Sequence, residues 1–232
     1  MSVLALALTH RTACLADLEL VAIPRAEVED VTRRLVAAPG VAEAVALPTC
    51  LRSEVYAWAD DPEAAAQNIR LVLEDVHGLP RGWTSGRSEL LIGENAVRHL
   101  FLVTAGLESI VPGEEQIQGQ VREVFGIARD IHSVGPHLDP LFRWALEAGK
   151  KARSSTALAV ARRSMSQAAA EAITRLLGEL AGTRILVVGT GKMAALAIPV
   201  LRDSGAEVGV VTKRMEVARD LAVDLGDRKS VV

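Results

Sequence analysis

From Arg184 to Val211 the chain runs strand, glycine turn, helix, strand, and few folds accommodate that succession. Arg184 to Val188 is a short apolar run suited to a parallel strand. Gly189-Thr190-Gly191-Lys192-Met193-Ala194 follows, then a helical stretch through Leu201 and a second strand from Glu207 to Val211. Gly189 allows the tight turn, and Gly191 lets backbone N–H groups approach a pyrophosphate at the helix N-terminus. Ala194 stands where the pattern often has a third glycine. The order predicts the opening of a Rossmann domain; the competing view is a plain glycine turn between strand and helix. At the end of the second strand an NAD site usually carries an acid, about 20 residues after the glycines. Here Thr212 is followed by Lys213 and Arg214. A hydroxyl and two cations suit a 2′-phosphate, so NADP(H) is the preferred cofactor. The alternative is a solvated helix start.

The N-terminal part reads differently. Val3 to Leu8 predicts a strand, and Arg25 to Ala38 a helix with Val28, Val31 and Leu35 on one face, closed by Pro39-Gly40. Val41 to Leu47 suits a buried strand, which Pro48 is expected to break. Ser53 to Trp58 alternates as a half-buried strand does, and a helix follows over about 62–76. This order fits an α+β sandwich with a mostly antiparallel sheet. Cys50 falls in the cramped turn between the two central strands, where a side chain can face a cleft. Arg52, two residues on, favours the thiolate, the form that attacks carbonyls. Most free cysteines are instead small buried hydrophobes. Helices are expected over 94–104, 114–131, 138–154 and 164–180, with a glycine-bounded polar loop from Gly106 to Gly113.

Composition narrows the function classes. Half of the 232 residues are hydrophobic and only 3% aromatic, so Ala, Val and Leu must do the packing. A net charge of -3 gives no overall attraction to nucleic acid or membrane. The one cationic concentration, Arg143, Lys150, Lys151, Arg153, Arg162 and Arg163, reads as an RNA-phosphate contact or as a solvated helix face. Cys14 and Cys50 are too few for a disulfide framework, and no zinc spacing occurs. The opening MSVLALALTHRTA lacks a basic n-region, and no stretch is clean enough to span a bilayer. A soluble cytoplasmic protein is expected.

A thiol nucleophile beside an NADP-type unit suggests reduction of an acyl group through a thioester. At this point the chain resembles the glutamyl-tRNA reductase family. Four blocks carry the resemblance, in order: Thr9-His10-Arg11-Thr12-Ala13; Thr49-Cys50-Leu51-Arg52-Ser53-Glu54-Val55-Tyr56; His99 through Gly106-Leu107-Glu108-Ser109 to Gly113-Glu114-Glu115-Gln116-Ile117-Gln118-Gly119-Gln120-Val121; and Ser164-Met165-Ser166 with the Val187 to Met193 turn. The third block is the most specific.

The resemblance implies an N-terminal α+β catalytic domain with a helical extension over 1–158 and a partial Rossmann NADP-binding domain over 159–232, a mixed α/β and α+β fold class. It implies that Cys50 attacks the aminoacyl ester of glutamyl-tRNA(Glu), and that NADPH reduces the thioester to glutamate-1-semialdehyde, the precursor of 5-aminolevulinate in tetrapyrrole biosynthesis. His99 matches a histidine that polarises the carbonyl or handles a proton. Thr49, Leu51, Arg52, Ser109, Glu114, Glu115, Gln116 and Gln120 match the substrate pocket, where Arg52 could fork a carboxylate and Glu114 pair with the ammonium. Gly189, Thr190, Gly191, Lys192, Met193, Ala194, Thr212, Lys213 and Arg214 match the cofactor site. Implied partners are the tRNA substrate, the aminomutase that receives the product, and a second copy of the chain.

The sequence departs from the family at Leu51, usually Asn; at Cys14, usually Pro; at Pro112; and at Arg214, usually Thr. It also stops after two strands of the nucleotide unit, so the family's dimerisation domain is expected to be missing. Two other readings stand beside the reductase: a thiol-dependent glutamyl-tRNA esterase, and a non-catalytic tRNA- or partner-binding remnant.

Overall fold

The computed structural model describes residues 1–110, 112–113, 116–156 and 165–212. The chain divides into two compact units, Met1–Val160 and Ala161–Val232. In the first, β1 (Ser2–Thr9), α1 (Leu15–Leu20), α2 (Val28–Val36), β2 (Val41–Thr49), β3 (Arg52–Ala59), α3 (Pro62–Val76) and β4 (Glu89–Ile92) precede α4 (Glu94–Ala105), α5 (Gln116–Asp130) and α6 (Leu138–Ser155). The sheet is antiparallel with strand order β2-β3-β1-β4. Both alternations of β1 are buried, as are nearly all residues of β3, so both sheet faces are covered. The expected half-buried alternation of β3 therefore hides a polar face that is also interior.

Pro48 does not end β2, as the sequence suggested. The strand runs on to Thr49, with Pro48 opposite Ser53 and Thr49 opposite Arg52. β2 is an edge strand, where a missing N–H costs the ladder little. Thr9 of β1 also lies opposite Arg52, so three strand termini meet at one corner. The sequence reading had no β4 and no α1. β4 is only four residues long and is held by pairing with β1.

The helices are fixed by local devices. Asp61 caps α3 by accepting from the Ala64 N–H at 3.1 Å, with Pro62 at the first helical position. Glu43, 5% exposed beside a bulge in β2, accepts N–H groups of Gly135, His137 and Leu138 at 2.7–3.1 Å. It thereby anchors the N-terminus of α6 to the sheet, where the helix dipole favours an acid. A Cβ at Gly149 would stand 2.8 Å from the Thr104 carbonyl oxygen, so the close approach of α4 and α6 requires glycine there.

The second unit holds α7 (Met165–Leu177), β5 (Arg184–Val188), α8 (Lys192–Asp203) and β6 (Glu207–Val211). α7 stops short of the expected residue 180 because Gly178 takes a positive φ and its N–H closes on the Thr174 carbonyl. β5 and β6 pair in parallel across the connecting helix, as the sequence pattern predicts. Ile185, Val187 and Val208 pack with Ala170, Leu180, Leu201 and Ala206, while Leu186 and Val188 on the other face are exposed. No helix among the described residues is long and apolar enough to cross a membrane.

Candidate active site

Cys50 and Leu51 form the tight turn between β2 and β3. Thr49 Oγ1 accepts the Leu51 N–H at 3.3 Å, and the Leu51 carbonyl accepts the His10 N–H at 3.3 Å. The turn is thus tied to the end of β1. Cys50 is exposed and makes no disulfide, so the bland expectation of a buried cysteine fails here.

Behind the turn lies a charge network that the sequence reading did not assign. Arg52, Glu54 and Tyr56 share one face of β3, two residues apart. Glu54 is fully buried and gathers three donors: Arg52 Nη1 at 3.0 Å, Tyr56 Oη at 2.8 Å and His99 Nε2 at 3.0 Å. Burial alone pushes this carboxyl upward, yet the His99 hydrogen bond, the Arg52 and His99 charges and the Tyr56 hydroxyl together hold it below the usual range. Tyr56 moves the other way: burial first, then the Glu54 charge, raise its phenol well above the ordinary value. An ionised carboxylate only accepts, so Nε2 of His99 carries the hydrogen in this bond. Packing sets the rings, with Tyr56 stacked 6.4 Å from His99 and edge-on to Phe142 of α6 at 5.6 Å. The signal was present in the sequence as cation, acid and phenol at period two.

Arg52, expected to favour the Cys50 thiolate or to fork a substrate carboxylate, has its guanidinium engaged inside the protein. Its side chain is 4% exposed, with Nη1 on Glu54 and Nη2 on the Glu108 carbonyl at 2.7 Å. A fork onto a substrate carboxylate requires exchange of one of these partners. The Glu108 bond brings the Ser109 loop beside the Cys50 hairpin, and the Glu54 bond brings in His99. Thr49 and Ser109 are half-buried, as are Gln116 and Gln120 on the first turns of α5. Glu114 and Glu115 lie outside the described residues. Of the cationic helix, Arg143 pairs with Asp139 and Arg153 reaches back to the Thr104 carbonyl, leaving Lys150 and Lys151 exposed.

In the second unit Gly189 has φ 103°, and a Cβ on Gly189 or Gly191 would meet nothing within 4 Å. Gly191 heads α8 with no side-chain cap, so the first N–H groups of α8 have no side-chain acceptor from it. Thr190 and Thr212 hydroxyls lie 3.1 Å apart, joining the glycine turn to the end of β6. Ala194 follows, half-buried, on α8. These features suit a phosphate-bearing ligand. The Lys192 and Met193 side chains and all of Lys213 and Arg214 lie outside the described set. No cluster of metal-ligating side chains occurs among the described residues.

The buried acids give a pH prediction. Glu74, buried like Glu54, accepts from Thr84 and Gly82, and these bonds hold its carboxyl low against the upward push of burial. A depressed folded pKa contributes stability that is complete above the unfolded value, about 4.3, and is lost as pH falls through the folded one. Thermal melts followed by circular dichroism should therefore show a midpoint falling steeply below about pH 4.5. Glu74→Gln should flatten that limb, and an unchanged slope would remove Glu74 from the account.

The described residues form an antiparallel α+β unit with an exposed thiol in its β2–β3 turn and, later in the chain, a parallel βαβ unit of dinucleotide-binding type. Comparison with known proteins makes the assignment specific. Residues 6–156 match the model of the glutamyl-tRNA(Glu) reductase N-terminal domain, and residues 167–232 that of shikimate/quinate 5-dehydrogenase. The chain belongs to the glutamyl-tRNA reductase family. It is 34% identical over 229 residues to the glutamyl-tRNA reductase of Syntrophotalea carbinolica, covering 98% of this chain and 52% of that protein. With the enzyme of Rubrobacter xylanophilus it shares 37% over 222 residues, 95% of this chain and 52% of the other. The solved glutamyl-tRNA reductase of Methanopyrus kandleri superposes with a TM-score of 0.60 at 32% identity, over 97% of this chain and 53% of that one. The chain spans about half the length of the curated relatives it matches.

Proposed function

We propose that this chain performs the acyl-transfer half of glutamyl-tRNA reduction at Cys50 and contributes part of the NADPH site for the reductive half. The carrying observation is an exposed thiol in the β2–β3 turn, next in the chain to the buried Arg52–Glu54–His99 network. The Cys50 thiolate attacks the ester carbonyl carbon of glutamyl-tRNA. A C–S bond forms, the bond to the terminal ribose oxygen breaks, and that oxygen takes a proton as tRNA leaves. With Nε2–H donated to Glu54, Nδ1 is the nitrogen left to His99 for polarising the carbonyl or moving a proton. Thr49, Leu51, Ser109, Glu114, Glu115, Gln116 and Gln120 are assigned to holding the glutamyl group. The Gly189–Ala194 turn, Thr212, Lys213 and Arg214 would hold the cofactor, which when bound supplies the hydride that reduces the thioester to glutamate-1-semialdehyde and frees the cysteine.

The test uses purified chain, glutamyl-tRNA with and without NADPH, and Cys50→Ser in parallel. Release of tRNA matched by NADPH oxidation is the expected result. Cysteine-dependent release without NADPH oxidation would reduce the proposal to the esterase reading. Saturable tRNA binding with neither would leave a binding protein.

The cofactor preference has its own check. Replacing Lys213 and Arg214 together by Ala should weaken NADPH binding more than NADH binding, by about tenfold for a pair of 2′-phosphate contacts. Equal losses, measured by fluorescence titration, would mean that these cations do not read the 2′-phosphate.

A further inference from the structure

Glu108 has two different holders, and neither is explained by the chemistry above. α4 ends at Ala105, and Gly106 turns the chain with φ 82° in the left-handed region. The Leu107 N–H returns to the Leu102 carbonyl, and the Gly113 N–H closes on the Gly106 carbonyl at 2.9 Å. Glu108 and Ser109 therefore sit in a loop that closes on itself. The Glu108 carbonyl accepts from Arg52 Nη2 at 2.7 Å, and its carboxylate pairs with Arg11 Nη1 at 2.5 Å. Arg11 is itself held in place. Thr9 Oγ1 accepts the Arg11 N–H at 3.2 Å, Thr12 Oγ1 accepts the Thr9 N–H at 3.0 Å, and the His10 N–H ties this turn to Leu51.

We propose that Glu108 is a positioning residue of the Cys50 site, latching the Ser109 loop to the strand-end corner through Arg11. The inference rests on the acyl-transfer reading above. The bond from Arg52 goes to a carbonyl, so any residue at 108 would keep it; among the described residues the carboxylate makes its ion pair with Arg11, and its charge is also felt at His10. That pair spans the segments which must stay together if Cys50 and Ser109 are to face one acyl group. Arg11 is 60% exposed and Glu108 15%, so the latch faces solvent on the arginine side and is screened by salt. This distinguishes it from the buried Arg52–Glu54 pair, which ionic strength barely reaches.

A pair used only for stability would not alter Cys50. The experiment compares wild type with Arg11→Gln, Glu108→Gln, both together, the conservative Glu108→Asp, and the exchanged pair Arg11→Glu with Glu108→Arg. Alkylation of Cys50 by iodoacetamide, separated from Cys14 by mass spectrometry, is measured at low and high salt. In parallel, KM and kcat are taken for deacylation of glutamyl-tRNA. Each single Gln substitution should change the Cys50 alkylation rate and raise KM by about 3- to 5-fold, the scale of a half-exposed ion pair, with kcat little altered. The double variant should be no worse than either single, the exchanged pair and Glu108→Asp should recover most of the loss, and high salt should bring wild type to the level of the variants. Additive losses, no recovery on exchange, or unchanged Cys50 alkylation in both singles would overturn the proposal. If wild type deacylates nothing, the acyl-transfer reading fails instead, while the alkylation series still decides whether Glu108 sets the loop.

Discussion

Cys50→Ser should lower deacylation of glutamyl-tRNA by on the order of 10³-fold or more while leaving the melting temperature essentially unchanged. The first half follows from acidity. A thiol near neutral pH supplies a few per cent of thiolate, whereas a serine hydroxyl needs a dedicated base to become a nucleophile. The second half follows from position. Cys50 is exposed in the turn after β2, and surface substitutions away from special features usually stay within about 0.5 kcal/mol. The separation of the two readouts is what makes the result informative, because loss of activity then reports chemistry rather than unfolding. Cys14→Ser, also at an exposed cysteine, should leave deacylation unaltered. Equal rates in wild type and Cys50→Ser would remove Cys50 from the mechanism altogether.

How far the sequence carried this reading depends on the element. The parallel β5–α8–β6 unit was legible because its apolar runs, glycine turn and spacing all demand one topology. The hairpin carrying Cys50 was legible for the same reason, although Pro48 misled: a proline forbids a ladder donor, not an edge strand. β4 was missed because Glu89–Ile92 is too short to show a period, and its strand character comes from pairing with β1. Cys50 and His99 stood out in the sequence as candidates, whereas the Arg52–Glu54–His99 network did not. Period-two reading assigned the polar residues of β3 to solvent, yet α4, α5 and α6 cover that face. A buried acid is recognisable only once its donors are known, and His99 is 45 residues from Glu54. Glu43 escaped in the same way, since the N–H groups it accepts lie beyond residue 134.

That buried acid carries the other large expectation. Glu54→Gln keeps the shape of the side chain but removes its charge. Arg52, whose side chain is 4% exposed, then has a cation with no counter-charge, and one amide oxygen must serve where a carboxylate served Arg52, His99 and Tyr56. Breaking one side of a buried ion pair costs about 3–5 kcal/mol. For a chain of this size that lowers the melting temperature by roughly 6–20 °C. Deacylation should also fall, by about 10- to 100-fold, the usual effect of losing the group that orients a working histidine. These two losses could share one cause, so a second variant has to part them. Replacing the whole network by apolar residues of similar volume, as Arg52→Met with Glu54→Leu and Tyr56→Phe, leaves no buried charge unpaired and should recover most of the stability. It leaves His99 without its carboxylate partner and the Ser109 loop without its Arg52 bond, so deacylation should stay low in a protein that is again well folded. If activity returns together with the melting temperature, the network is only a scaffold, and His99 needs nothing from Glu54 to do its work.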